Sequence, residues 1–465
     1  MNLTDFENCI KSGARAHLVG IGGVSMSPLA EVLYASGVPV SGSDMSESDA
    51  TRSLRALGIP VAAGHAAENI DGAGYVIRTA AARDDNVEIK AARARGLPVF
   101  ERAEAWGHIM RGYRDAVCVS GAHGKTTTTS MVAQILLDAK LDPTVMIGGT
   151  LPALGSGYRV GGGGVIVLES CEYYNSFHSF SPTVAVILNV DADHLDFFKD
   201  LEDVKASFRK FASLTPERGY IVCNGDDENT MDALAPLGRE LFTFGFGAAS
   251  VVRGVNVRAE GKCTSFDVQY EDRLYCRVKL RVPGRHNIAN ALAAAAVAVC
   301  IGLPGEAVED GLSRFTGAAR RFQKLGELCG AEIYDDYAHH PNELRSLLDA
   351  VQTLGYERVL LAFQPHTFTR TAALFDDFAR ELARADHVYL ADIYAAREKN
   401  TVGITSKDLA RAIPGAAYCP GFADIVSRLA AAARRGDIIL TVGAGDIYKV
   451  GEQLAALPTP VPQAT

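Results

Sequence analysis

The chain has 465 residues, 48% of them apolar and 22% charged, and its 46 basic and 55 acidic side chains leave a formal charge of −9. Those proportions exclude extensive disorder, and mild acidity with no lysine or arginine run argues against nucleic acid as a partner. The longest apolar run, Ala291 to Leu303, is too short for the roughly 20 residues of a membrane span and reads as a buried helix, so no membrane insertion is expected.

Short β-branched runs alternate with amphipathic stretches along the chain, which predicts an α/β fold. The length suits about three domains, placed at 1–112, 113–316 and 317–465. No signal-peptide pattern opens the chain. A strand at His17–Ile21 runs into a glycine turn, followed by a helix with Met26, Leu29, Ala30, Leu33 and Tyr34 on one side. The turn, Gly20-Ile21-Gly22-Gly23 with Ser25, Met26 and Ser27 beyond it, resembles a dinucleotide fingerprint without its third glycine. Free amides at such a helix start bind any pyrophosphate, that of a UDP-sugar included; a tight turn with a capped helix is the plainer reading. A second strand, Val38–Gly42, ends in Ser43-Asp44, where Asp44 could meet a ribose or base.

The second region opens with a strand, Ala116–Val119, that runs into Gly121, Ala122, His123, Gly124, Lys125, Thr126 and Thr127 and then into a helix. In that setting Lys125 would reach the outer phosphates of a nucleotide and the Thr126 hydroxyl would ligate Mg²⁺. The loop is short, with two residues between its glycines where the common phosphate loop has four. Val165–Leu168 delivers Glu169 and Glu172, which on an extended strand would face opposite ways, so one of them and not both is expected near the metal. Val184–Leu188 delivers a second polar segment, Asn189 to Asp196. From about Val251 the pattern alternates, predicting a small accessory antiparallel sheet that includes Leu274–Val282, and an alanine-rich helix, Ala289–Cys300, follows.

Strands of the third region are predicted at Glu332–Asp335, Arg358–Phe363, His387–Asp392 and Asp437–Val442, and the closing LPTPVPQAT reads as a mobile tail. Arg320-Arg321-Phe322 stands at its entrance. His339-His340-Pro341 reads locally as a helix start, with an early proline and an acid in the first turn. The nine cysteines include no CxxC pair, which argues against a disulfide framework or zinc site and for a reducing cytoplasm.

Six segments in this order resemble the Mur ligase family: Gly20–Ser27, Gly121–Thr129, Ala192–Asp196, Arg320–Phe322, Asp335–Pro341 and Phe363–Thr371. The resemblance implies a Rossmann-like N-terminal domain for a UDP-sugar and a P-loop-type central ATPase domain. It also implies a Rossmann-like C-terminal domain that binds an amino acid and closes over both. The implied reaction joins L-alanine to the carboxylate of UDP-N-acetylmuramate at the expense of ATP, through an acyl phosphate, in peptidoglycan precursor synthesis in the cytoplasm. By the same resemblance Lys125, Glu172 and His194 are catalytic, with Thr126, Glu172 and His194 holding metal. His286, Asn287, Asn290, Arg321 and Asp336 lie by the nucleotide, and His339, His340, His366 and Arg370 serve the amino acid. His194, His339 or His340 could take the amine's proton. Two positions depart from the commoner pattern: Tyr174 replaces an aspartate and Thr367 an arginine. A monomer or weak homodimer is expected. The alternatives are a ligase that adds a tripeptide to the same sugar, a regulatory P-loop ATPase and an NAD-dependent oxidoreductase.

Overall fold

The computed structural model describes residues 3–458 apart from 80, 196 and 397. Most of the proline-rich tail, and Asp196 of the second polar segment, therefore lie outside the described residues. The chain forms two compact units, one of 1–193, 200–253 and 293–311, the other of 194–199, 254–292 and 312–465.

The first unit holds two sheets. Strands β1 (Ala16–Val19), β2 (Val40–Asp44), β3 (Val61–Ala63), β4 (Tyr75–Arg78) and β5 (Val99–Glu101) pair in parallel in the order β3-β2-β1-β4-β5. The order reverses at β1, so the loop after it opens at the carboxyl edge between diverging neighbours, where such sheets place ligands. The helix Met26–Ala35 buries Met26, Leu29, Ala30 and Leu33 as predicted. Tyr34 does not follow: in the last turn it is 43% exposed, its hydroxyl beside Gly58.

The other sheet of this unit takes β6 (Asp115–Ser120), β7 (Thr144–Leu151), β8 (Ser156–Arg159), β9 (Val165–Glu169), β10 (Val184–Ile187), β11 (Tyr220–Asn224), β12 (Phe242–Gly245) and the start of β13 (Val252–Glu260). Their order is β13-β12-β11-β10-β6-β9-β7-β8, with β8 antiparallel to β7. Here the reversal falls at β6. The two sheets meet through the helix Arg102–Met110. Its Trp106, fully buried, donates from Nε1 to the Ser25 carbonyl at 3.3 Å, and at Gly107 a Cβ would stand 1.8 Å from the Ser179 carbonyl oxygen.

In the second unit β13 continues beside β14 (Cys263–Tyr270) and β15 (Arg273–Leu280), the predicted accessory sheet. Cys276, Val278 and Leu280 are buried while Arg277 and Lys279 between them face water. The helix Arg285–Cys300 begins four residues before its predicted start, and Ala291–Ala298 are buried. No described helix is long and apolar enough to cross a membrane. The last sheet has β16 (Gln323–Leu328), β17 (Ala331–Asp336), β18 (Arg358–Phe363), β19 (His387–Leu390), β20 (Ala417–Tyr418) and β21 (Asp437–Val442) in the order β16-β17-β21-β18-β19-β20. Only β16 is antiparallel, and it and the two-residue β20 are edge strands that the sequence pattern did not predict. Successive residues of β18 and β21 feed opposite faces: Leu361 and Leu440 pack with Phe363 and Phe378, Leu360 and Ile439 with Ile425 and Leu454.

Because backbone meets backbone at Gly107, Gly107→Ala is expected to lower stability by about 2 kcal/mol or more. Urea denaturation measures it, and an unchanged midpoint would contradict the close approach.

Candidate active site

Between β9 and β10 the chain leaves β6 through Gly121 (φ 145°) and Gly124 (φ 85°) before the helix Lys125–Asp138 begins. Both angles favour glycine, and a Cβ at Gly121 would also stand 2.9 Å from Leu188 Cβ. Gly124 offers no side chain to the helix start, whose buried first turn carries Thr126 and Thr127. Lys125 folds back over this loop. Its Nζ donates to Glu172 at 3.0 and 3.2 Å and to the carbonyl oxygens of Ala122, at 3.1 Å, and Gly121. Burial works to lower the ammonium's pKa, but the charge of Glu172 overrides it and holds the lysine above its ordinary value.

Thr126 Oγ1 donates to Glu169 Oε1 at 3.1 Å, and Glu169 Oε2 accepts the Gly148 N–H at 2.7 Å. Glu169 and Glu172 thus both lie beside the loop, against the expectation that only one would. β9 ends at Glu169 and Glu172 has helical angles (φ −72°, ψ −23°), so strand alternation does not run between them. With the Thr126 hydroxyl they form an all-oxygen donor set, the chemistry that suits Mg²⁺.

Asn189, just past β10, clamps the loop from the neighbouring strand. Its carbonyl accepts Ala122 N–H at 3.2 Å, its Oδ1 accepts His123 N–H at 2.8 Å, and its Nδ2 donates to the His123 carbonyl at 3.0 Å. The His123 ring meets Asp191 at 3.3 Å. Residue type and position had placed Asn189 in the polar segment without giving it a role; only the strand order puts it beside the loop.

The first glycine loop is held the same way. Gly20 (φ 78°) and Ile21 donate to the Ser43 carbonyl at 2.8 and 3.0 Å, and Gly22 N–H donates to Asp44 Oδ2 at 2.9 Å. Asp44 therefore faces its own loop. Gly23 N–H closes the turn onto the Gly20 carbonyl, and its own carbonyl accepts from Met26 N–H and the Ser27 hydroxyl. The Ser25 hydroxyl donates to Met146 Sδ.

In the second unit His194 holds φ 55°, and its carbonyl accepts the N–H groups of Phe197 and Phe198. At the start of the helix Arg285–Cys300 the ring of His286 lies over Gly284 (φ 100°). Asn287 Nδ2 donates to the Pro283 carbonyl at 2.6 Å and Asn290 Nδ2 to Asn287 Oδ1 at 3.3 Å, so these three candidates share the first two turns. Arg320 is engaged by structure, bonding Asp335 and the carbonyls of Gly443 and Gly445. Arg321 has longer contacts, with Glu343 at 4.0 Å and the Tyr337 ring at 5.0 Å. Asp336 accepts the N–H groups of Phe322 at 2.7 Å and Ala338 at 2.8 Å; burial pushes its carboxyl up to about 6, against the pull of Arg321 and both amides.

His339, His366 and Arg370 come together. The two imidazole rings are 5.7 Å apart, His366 stacks on Tyr394, and Arg370 lies 3.2 Å from His366 Nδ1. His340 instead caps its own helix, Pro341–Gln352, its Nδ1 accepting Asn342 N–H at 3.3 Å, as the local pattern predicted. Thr367 sits at φ 66°, a strained angle for a β-branched residue, its N–H bonded to the Tyr394 carbonyl. Glu398 accepts the N–H groups of Phe368 and Thr369, fixing the short helix that carries Arg370. No local signal marks Glu398, which lies far along the chain from that helix.

The sheets and the Lys125 loop define a phosphate-loop α/β protein built as three sheet regions in series. Residues 15–114 match the family description "Mur ligase family, catalytic domain", 119–298 "Mur ligase middle domain" and 320–445 "Mur ligase, glutamate ligase domain". The chain belongs to the Mur ligase family. It is 46% identical to the UDP-N-acetylmuramate–L-alanine ligase of Agathobacter rectalis over 94% of this chain and 97% of that one. The enzyme of the same description from Clostridium novyi is 43% identical over 94% and 96%. The crystal structure of UDP-N-acetylmuramate–alanine ligase from Thermotoga maritima superposes with a TM-score of 0.77 at 30% identity, covering 95% of this chain and 98% of that one.

Since the Asn189 side chain makes both side-chain hydrogen bonds to the His123 backbone, Asn189→Ala is expected to weaken ATP binding about tenfold, read as Kd by calorimetry. A Kd within twofold of the parent would show the clamp to be dispensable.

Proposed function

We propose that this protein joins L-alanine to the carboxylate of UDP-N-acetylmuramate, converting ATP to ADP and phosphate, as the first amino-acid addition in peptidoglycan precursor synthesis. The observation that carries this reading is the Lys125–Glu172 pair on the glycine loop, with Thr126 and Glu169 beside it, in a chain similar over nearly its whole length to ligases of that description. The β1 loop would take the UDP-sugar pyrophosphate where it turns into its helix, at Val24 and Ser25, the amides from Gly20 to Gly23 being used to hold the loop itself. The β6 loop would take ATP; by the family resemblance Arg321 and Asp336 would serve the nucleotide, and His339, His366 and Arg370 the amino acid. The cytoplasm, where both small substrates occur, is the compartment we assign.

Glu169, Glu172 and Thr126 would hold Mg²⁺, with His194 a further ligand by the family resemblance, and the ion when bound neutralises phosphate charge. Lys125, its charge secured by Glu172, would draw electron density from the γ-phosphate as the muramyl carboxylate attacks it in line. The carboxylate oxygen gains the phosphoryl group and ADP departs. The amine of L-alanine then attacks the acyl carbon, and phosphate leaves as the amide forms. The amine must lose a proton, and His339 is the better placed of two neighbouring histidines. Its Nδ1 lies 3.0 Å from the Tyr337 carbonyl and 3.3 Å from Glu343 Oε2. The tautomer with its proton on Nδ1 satisfies both acceptors, and it is the one in which Nε2 could act as base. His340 has the opposite tautomer, because its Nδ1 accepts from a backbone amide. Arg370 would face the alanine carboxylate, taking the part of the arginine pair of the commoner pattern.

Phosphate release is the test: it should require UDP-N-acetylmuramate and L-alanine together, fail with the tripeptide in place of L-alanine, and vanish in Lys125→Ala while that variant still binds the UDP-sugar. Release without an amino acid would indicate an ATPase instead. His339→Ala should lower kcat at least 100-fold. His340→Ala should chiefly cost stability, about 1 kcal/mol for a lost helix cap, seen as a lower denaturation midpoint. Equal kcat losses in the two variants would overturn the tautomer argument.

A further inference from the structure

The β1 loop is only as well placed as the end of β2, because the Ser43 carbonyl holds Gly20 and Ile21 and the adjacent Asp44 holds Gly22. Behind Ser43 lies a charge that no step of the reaction uses. Glu88, on the first turn of the helix Val87–Ala94, is fully buried, and its carboxylate reaches segments remote in sequence. Ser43 Oγ donates to its Oε2 at 2.6 Å, Asn69 Nδ2 donates to its Oε1, and His65 Nδ1 lies 3.1 Å from Oε2 and 3.0 Å from Ser43 Oγ. From β1 itself His17 approaches Oε2 to 3.8 Å.

We infer that Glu88 is a positioning residue for the nucleotide-sugar site, acting through the Ser43 hydroxyl to hold the β2 end against which the Gly20–Gly22 amides are aimed. This inference rests on the reading that the β1 loop takes the UDP-sugar.

The physical case is one of cost and geometry. Burying a carboxylate is unfavourable unless its oxygens are satisfied, and an apolar side chain would fill the same space without that cost. What an apolar side chain cannot do is fix a hydroxyl's direction. Ser43 is fully buried, and its hydroxyl and carbonyl leave the same residue, one toward Glu88 and the other toward the loop. Tying the side chain to Glu88 anchors Ser43, and with it the strand end whose carbonyl holds the loop. Burial acts to raise the Glu88 pKa, but the nearby His17 ring and the hydrogen bonds from Ser43 and Asn69 bring it down to about 2, so the carboxylate is charged throughout the working range. Glu88 also stands at the start of its helix, where negative charge is favoured. The effect is directed at one substrate of three, since Ser43, on β2, and the strand that delivers the β6 loop belong to different sheets.

The experiment compares the parent with Glu88→Gln, Ser43→Ala and the double variant, measuring Kd for UDP-N-acetylmuramate by calorimetry and the three KM values and kcat by phosphate release. Each single variant should raise Kd and KM for the UDP-sugar about tenfold, with kcat and the KM values for ATP and L-alanine within twofold. The double variant should be no worse than Glu88→Gln, since both changes break one link. Additive losses, an unchanged UDP-sugar Kd, or equal losses for all three substrates would overturn the inference. Ser43→Ala leaves every charge in place, so it remains informative if Glu88→Gln does not fold. If the parent itself fails to bind UDP-N-acetylmuramate, the proposed function fails, and the inference with it; parent binding with unaffected variants overturns the inference alone.

Discussion

Lys125 cannot hold its place by itself. A lysine ammonium taken out of water loses its hydration, and without a counter-charge it would give up its proton. The Glu172 carboxylate, 3.0 Å away, prevents that, and the Gly121 and Ala122 carbonyls turn the ammonium back across the loop. Everything else at the central site follows from keeping this pair where the β6 chain turns into its helix. Glu172 must leave the strand that Glu169 ends, the loop must pass through two left-handed glycines, and Asn189 must arrive from the neighbouring strand to hold Ala122 and His123.

The same solution recurs in each sheet. A loop at the carboxyl edge is steadied by the end of an adjacent strand or by the strand that delivers it: Ser43 and Asp44 after β1, Asn189 after β6, Asp336 at the end of β17. Parallel strands make this possible because their ends lie side by side and each presents its last residue to its neighbour's loop. A chain of formal charge −9 would thereby meet the anionic substrates of the proposed reaction with local loops and a few paired cations. Tyr174, His194, Arg320, Phe322 and Thr367 hold positive φ without being glycine, as do turn residues elsewhere such as Asp142, Asn256 and Glu271, a cost that surrounding hydrogen bonds must sustain.

Much of this was legible in the residues. The glycine turns, the Lys125 loop and its helix, the accessory hairpin and four strands of the last sheet follow from local pattern, because turns and periodicity are short-range properties. Where the reading failed, the cause was longer-range. Tyr34 matched the helical spacing but falls in a final turn that the sheet does not cover. Glu169 and Glu172 were placed on opposite faces by a period that ends with the strand. β16 and β20 are edge strands with weak patterns, present because β17 and β19 offer them partners.

Roles that depend on meeting across the fold were not legible. Glu88 looks like any first-turn acid, Glu398 like any loop acid and Asn189 like a strand-end asparagine, yet each directs a loop or helix that the sequence places far away. His339 and His340 are adjacent and identical in type, and only their partners differ, a carbonyl and carboxylate for one and a backbone amide for the other, which is the difference on which the proposed base rests. The sequence by itself therefore determined the fold class, the glycine loops at the strand ends and the residue types available for chemistry, since backbone geometry and charge reside in short segments. Tertiary structure alone decided which carboxylates reach those loops, which tautomer each histidine takes and which buried groups hold the loops in place, because those depend on strand order and on hydrogen bonds between distant segments.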